Sequence, residues 1–117
     1  MITVDETRDK IANDGKWWPI HLMNFVDDFR HSRDPRAIEK PFRQTERKMD
    51  ALVASTVESL CDELGLEPPE WLEQIPECKE PWFVSGLERL KAITIVQSPL
   101  RFRIRKIFVL ENFLSRV

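Results

Sequence analysis

Between Thr45 and Leu64 the chain repeats apolar residues with the period of an α-helix, uninterrupted by glycine or proline. Met49, Leu52, Val53, Leu60, Cys61 and Leu64 fall on one face with Val57 between them, and Gly65 follows as a stop signal. A long helix with such a stripe must bury it against other elements, so the spacing predicts a central core helix.

The flanking segments read as shorter helices that cover it. Thr3-Val4-Asp5-Glu6 has the form of a capping box, with Val4 and Ile11 on one face and a stop at Asn13-Asp14-Gly15. Few apolar residues follow that start, so residues 1–15 read as a loosely packed polar arm. Lys16-Trp17-Trp18-Pro19 opens a second helix over 16–31, in which Trp18, Leu22, Phe25, Val26 and Phe29 share a buried face. Asp34-Pro35 caps a short turn over 36–40 that Pro41 ends. Glu67-Pro68-Pro69-Glu70 is a rigid connection into a short amphipathic turn with Trp71, Leu72 and Ile75.

Trp82-Phe83-Val84 returns the chain to the core, and Leu87, Leu90, Ile93 (or Thr94) and Val96 suggest a helix over 84–97. Its Ile93-Thr94-Ile95-Val96 run is β-branched and strand-like in propensity; without a visible partner strand it is read as helix. Ser98-Pro99 reads as a cap followed by proline at the first helical position, opening a helix to about Lys106. Ile107-Phe108-Val109 is an apolar elbow, and Leu110–Arg116 a last short helix. The expected architecture over residues 1–117 is therefore all-α, one compact bundle of about five to seven helices around the helix near 45–64.

Most catalytic chemistries lack their residues here. Asp27, Asp28 and His31 place carboxylates beside a histidine one turn on, but no second histidine or acid cluster completes a metal set, so they read as a solvated helix end. Cys61 and Cys78 form no zinc pattern with the two histidines and read as reduced thiols, Cys61 on the core stripe. There is no Gly-x-Ser-x-Gly elbow, and three glycines cannot build a phosphate-cradling loop. No catalytic, cofactor or metal residues are assigned, and the chain is not read as an enzyme. No apolar run approaches the ~18 residues of a membrane span, and the first residues lack a secretory pattern, so a cytoplasmic protein is expected.

Charge is distributed unevenly. Residues 1–83 carry 11 Lys/Arg against 18 Asp/Glu, whereas residues 84–117 carry 7 against 2. Arg101, Arg103, Arg105, Lys106 and Arg116 face a single acid, Glu111, in the closing stretch, interleaved with Phe102, Ile104, Ile107, Phe108, Phe113 and Leu114. That much apolar surface is too large for a loose tail. Three uses fit these cations, in falling order of weight: pairing with the acidic body, docking onto an acidic protein, and contacting phosphates. Arg101, Arg105 and Lys106 are the candidate partner-binding cations. Trp18 and Trp82 read as core, while Trp17 and Trp71 are open to either a core or a partner-binding role. Gln97-Ser98-Pro99 joins two helices as a helix-turn-helix would, but a pI near 5.7 and the lack of a basic recognition face weigh against DNA binding.

Three stretches together resemble one small bacterial family of helical proteins. They are Trp18-Pro19 with the helix through Arg30; Met49-Asp50-Ala51-Leu52 with Leu64-Gly65-Leu66 and Trp71; and Ser98-Pro99, Phe102-Arg103, Arg105, Ile107-Phe108 with Leu114–Val117. Members of that family are antitoxin-like and often encoded beside nucleotidyltransferase-type toxins. The resemblance implies a non-catalytic protein with a protein partner, and it carries over no binding residues. The chain departs from the pattern at Val109-Leu110-Glu111, where the family offers a serine-type cap. A nucleic-acid-associated regulator is the alternative; the state of self-association is not legible.

Overall fold

The computed structural model describes residues 1–115, which form an all-α fold. Its α-helices are α1 (Val4–Asn13), α2 (Trp18–Ser32), α3 (Arg47–Leu64), α4 (Lys91–Gln97) and α5 (Leu100–Arg103), joined by short 3₁₀ turns. Two short strands, β1 (Trp82–Phe83) and β2 (Ile107–Phe108), make one parallel pair.

The helix predicted from 45 to 64 is the centre of the molecule. Glu46 caps α3 by accepting from the Met49 N–H at 3.1 Å, and Gly65 closes it at φ 69°, a left-handed conformation that glycine adopts without strain. Every residue from Asp50 to Glu58 is buried, so α3 is covered on all sides there. Ala51, Ala54 and Ser55 keep parts of that surface small enough for neighbours to approach closely. Leu22, Phe25, Val26 and Phe29 of α2 enter the same core as Leu52, Val53 and Val57. Burying one such side chain contributes about 1.5–3 kcal/mol, so the few helix faces meeting at α3 carry much of the stability.

The N-terminal segment is seated more deeply than an arm. The capping box forms, with the Thr3 N–H bonded to Glu6 at 2.7 Å, and Val4 and Ile11 join the core. Arg8 is buried as well: its Nε donates to Asp50 at 2.7 Å and one Nη donates to the Thr45 hydroxyl at 2.7 Å. Asp50 also accepts from the Thr45 N–H at 3.1 Å, so one buried ion pair ties α1 to the entry of α3. An arginine stem can cover apolar surface as an aliphatic residue does, which a count of apolar residues overlooks.

The C-terminal third departs most from its predicted elements. Trp82-Phe83 pairs as a strand with the Ile107-Phe108 elbow, with the Trp82 N–H donating to Lys106 O at 2.8 Å. The Phe83 and Phe108 rings stack with centroids 5.0 Å apart. Gly86, at φ 69°, then turns the chain, so the expected helix over 84–97 shrinks to α4. The helix expected from Ser98 to Lys106 stops after α5, and Lys106 takes φ 62° to enter β2. Ser98 does not cap α5. Its hydroxyl accepts from the Val109 N–H at 2.8 Å and lies against the carbonyls of Thr94 and Val109, pinning the α4–α5 joint to the chain after β2. Residues 111–114 form turns in place of the predicted last helix, and Arg116 lies outside the described residues.

Candidate docking face

The basic segment is built to grip α3. Arg101 and Arg105 stand four residues apart, as do Glu58 and Asp62, and the two pairs meet in reverse order. Arg101 makes a two-pronged contact with Asp62, Nε at 2.8 Å and Nη2 at 3.0 Å, and reaches Glu58 at 3.7 Å. Arg105 pairs with Glu58 and also donates to Ser55 Oγ at 3.4 Å, Leu72 O at 2.9 Å and Ile75 O at 3.3 Å. Its side chain is only 7% exposed. The hydrogen bond from Arg101 holds the Asp62 carboxyl below its ordinary pKa, against an opposing effect of burial. The same bond raises the guanidinium pKa of Arg101.

This placement sorts the residues singled out as partner-binding. Arg105 is an internal strut, buried against Glu58. Arg101, partly exposed, is held by Asp62 and Glu58. Lys106 lies at the surface with its ammonium 3.5 Å from Glu77. Trp71 is half-buried, donating its indole N–H to Ile38 O at 3.0 Å and meeting the Phe42 ring edge-on. Trp17 is 49% exposed, with Lys16 Nζ 5.5 Å from its ring. The five come from separate elements: Trp17 precedes α2 and Trp71 lies in the turn after α3, whose Leu72 and Ile75 carbonyls accept from Arg105, whereas the three cations follow α4.

What the periodicity missed lies just before the arginines. Helix α4 is inside out: its single buried residue is Thr94, while Ile93, Ile95 and Val96 face solvent. With successive residues about 100° apart around a helix, these three occupy both flanks and the outer side when Thr94 points inward. Val96 is 77% exposed. Leu87 precedes this helix, and Leu100 and Ile104 follow one turn apart on α5 and its end. Six of the nine large hydrophobic side chains exposed among the described residues thus fall between positions 87 and 104. Clusters of this kind mark interaction surfaces more often than chance placement does. The signal was present in Ile93-Thr94-Ile95-Val96, since four consecutive β-branched residues cannot all lie on one buried stripe.

Two cations accompany the apolar stretch without acid partners. Arg89 and Arg103 are exposed, and neither makes an ion pair among the described residues. Lys91, by contrast, pairs with Glu88 at 3.0 Å.

The other candidate chemistries remain dispersed. Asp28 accepts from the Ile2 N–H at 2.8 Å, which gives it a role in holding the N-terminus. No group of three metal-capable side chains occurs among the described residues. Cys61 and Cys78 are both free and buried; burial, reinforced by Asp62, pushes the Cys61 thiol up to about 11. A surface pocket of about 450 Å³ beside Glu46, Arg47, Lys48 and Cys78 mixes charges of both signs and converges on no reactive group. Among the described residues no helix is long and apolar enough to cross a membrane. No family model, curated protein or solved structure matches the chain.

Proposed function

We propose that this chain is a non-catalytic protein-interaction module of the cytoplasm, and that the stretch from Leu87 to Ile104 is its docking face. The observation that carries this reading is the reversed polarity of α4, which keeps a threonine inside and presents Ile93, Ile95 and Val96 to solvent. Ile93 and Ile95 are covered only in part and Val96 little, and burying the remainder against a partner would contribute about 25 cal/mol per Å² removed from water. The sequence resemblance adds the class of partner: a nucleotidyltransferase-type protein, toward which this chain would be antitoxin-like.

Phosphate contact through Arg101 and Arg105 is the weaker reading. Arg105 is buried on Glu58, and Arg101 is engaged by Asp62, so both would have to abandon carboxylates before meeting a phosphate.

Co-expression with the product of a neighbouring nucleotidyltransferase-type gene tests the reading. A complex that survives size exclusion and is lost on Val96→Asp is the expected result. No complex, or one indifferent to Val96→Asp and Ile93→Asp, overturns it. Unchanged thermal unfolding of both variants separates a lost contact from a lost fold.

A further inference from the structure

We propose that the occupant of this face is an amphipathic helix whose apolar stripe is bordered by aspartate or glutamate. The inference rests on the docking reading above and adds the chemistry of the partner. It comes from the charges left over once the basic segment has gripped α3. Arg101, Arg105, Lys91 and Lys106 all have carboxylate partners in the chain itself. Arg89 and Arg103 do not, and they lie within the apolar stretch, Arg89 beside Leu87 and Arg103 between Leu100 and Ile104.

A second copy of the chain fits this surface poorly. A symmetric contact through α4 places the same patch on both sides, so Arg89 and Arg103 of each protomer meet a surface that carries the same unpaired positive charge. The acids nearest in sequence are Glu88, already paired to Lys91, and Glu111, so a dimer offers two such carboxylates for four guanidiniums. A lipid surface fits poorly too. Helices that lie in a membrane interface present one broad apolar face with aromatic anchors, whereas α4 is seven residues long and shows aliphatic side chains on three sides. An acidic amphipathic helix meets both requirements at once. Its apolar stripe covers Ile93, Val96 and Leu100, and its bordering carboxylates reach Arg89 and Arg103, the arrangement by which helices are recognised through spaced anchors and charged flanks.

The test uses the whole chain and a display library of twenty-residue helical peptides of random sequence. Selected peptides are synthesised and their affinities measured by fluorescence titration. Expected is enrichment of Leu, Ile or Phe at helical spacing with flanking Asp or Glu. Val96→Asp should weaken binding roughly thirtyfold or more, as at an interface hot spot. Arg89→Glu with Arg103→Glu should weaken it about tenfold, with a steep loss as salt rises. Loss of binding with Val96→Asp but no effect of the arginine reversals overturns the acidic-partner inference and leaves the docking face standing. Binding indifferent to Val96→Asp overturns both. A dimer of the free chain in sedimentation that Val96→Asp dissolves assigns the face to a second copy, and uptake onto phosphatidylcholine–phosphatidylserine vesicles assigns it to lipid; either result overturns the proposal.

Discussion

Arg105 and Glu58, 47 residues apart in sequence, meet in the interior as an ion pair that joins the C-terminal segment to the central helix. Arg101 and Asp62 repeat the contact one helical turn away. The basic end of the chain is thus a clasp on the acidic face of α3. Among the described residues its cations are paired internally except at Arg89 and Arg103, the two on which the proposed charge preference of the exposed apolar stretch rests.

Breaking the inner half of the clasp should be expensive. Glu58→Ala leaves the Arg105 guanidinium buried without its counter-charge, for an expected cost of about 3–5 kcal/mol in urea unfolding. Combining it with Arg105→Met should cost less than the sum of the two single changes, because no uncompensated charge remains. The double variant should still fall short of the parent, since Arg105 also serves the Leu72 and Ile75 carbonyls. Additive losses would show that the pair is not coupled.

The outer half of the clasp predicts an acid-side pH dependence. The Asp62 carboxyl is held below its ordinary pKa by Arg101. A group depressed in the folded state contributes its full stabilisation above the unfolded value of about 3.9, and loses it as pH falls through the folded value. Asp62→Asn should therefore narrow its stability gap from the parent as the pH is lowered from about 6 into that range. A gap constant across this window would place the Asp62–Arg101 contact outside the folding equilibrium.

The thiols should be silent while the fold is intact. Cys61 and Cys78 are buried, and burial raises both thiol pKa values, that of Cys61 to about 11. At pH 8 very little thiolate exists to attack a disulfide reagent. Titration with a chromogenic disulfide should show both thiols reacting at once in denaturant and neither reacting promptly in the native protein. Rapid native reaction of Cys61 would mean that α3 opens locally, and of Cys78 that the loop beside the surface pocket does.

At Val96 the demands of folding and docking should part. The side chain is exposed on a helix, where alanine is favoured over a β-branched residue by about half a kcal/mol. Val96→Ala should leave stability unchanged or raise it slightly in thermal unfolding, while weakening capture of the partner. A clear loss of stability would mean that Val96 serves the fold and not a docking face.

The local rules legible in the amino-acid order were those that neighbouring residues settle among themselves. The capping box at Thr3, the periods of α2 and α3, and the stop at Gly65 all depend on contacts within a turn or two, so reading them needed no knowledge of the partner surface. The excess of arginine at the end, and its favoured use in internal pairing, followed from counting charges. Which acid each arginine takes did not, because that depends on α5 crossing α3 in a reversed register. The same limit hid the Arg8–Asp50 pair, since an arginine stem buried like an aliphatic chain leaves no mark in an apolar count. It also hid the strand pairing of Trp82-Phe83 with Ile107-Phe108, because a two-residue strand exists only when its partner arrives. The inversion of α4 depends on all of these. Once β1 and β2 pair and Ser98 is pinned to Val109, Thr94 is the residue turned inward, and the isoleucines and valine beside it have nowhere to go but out.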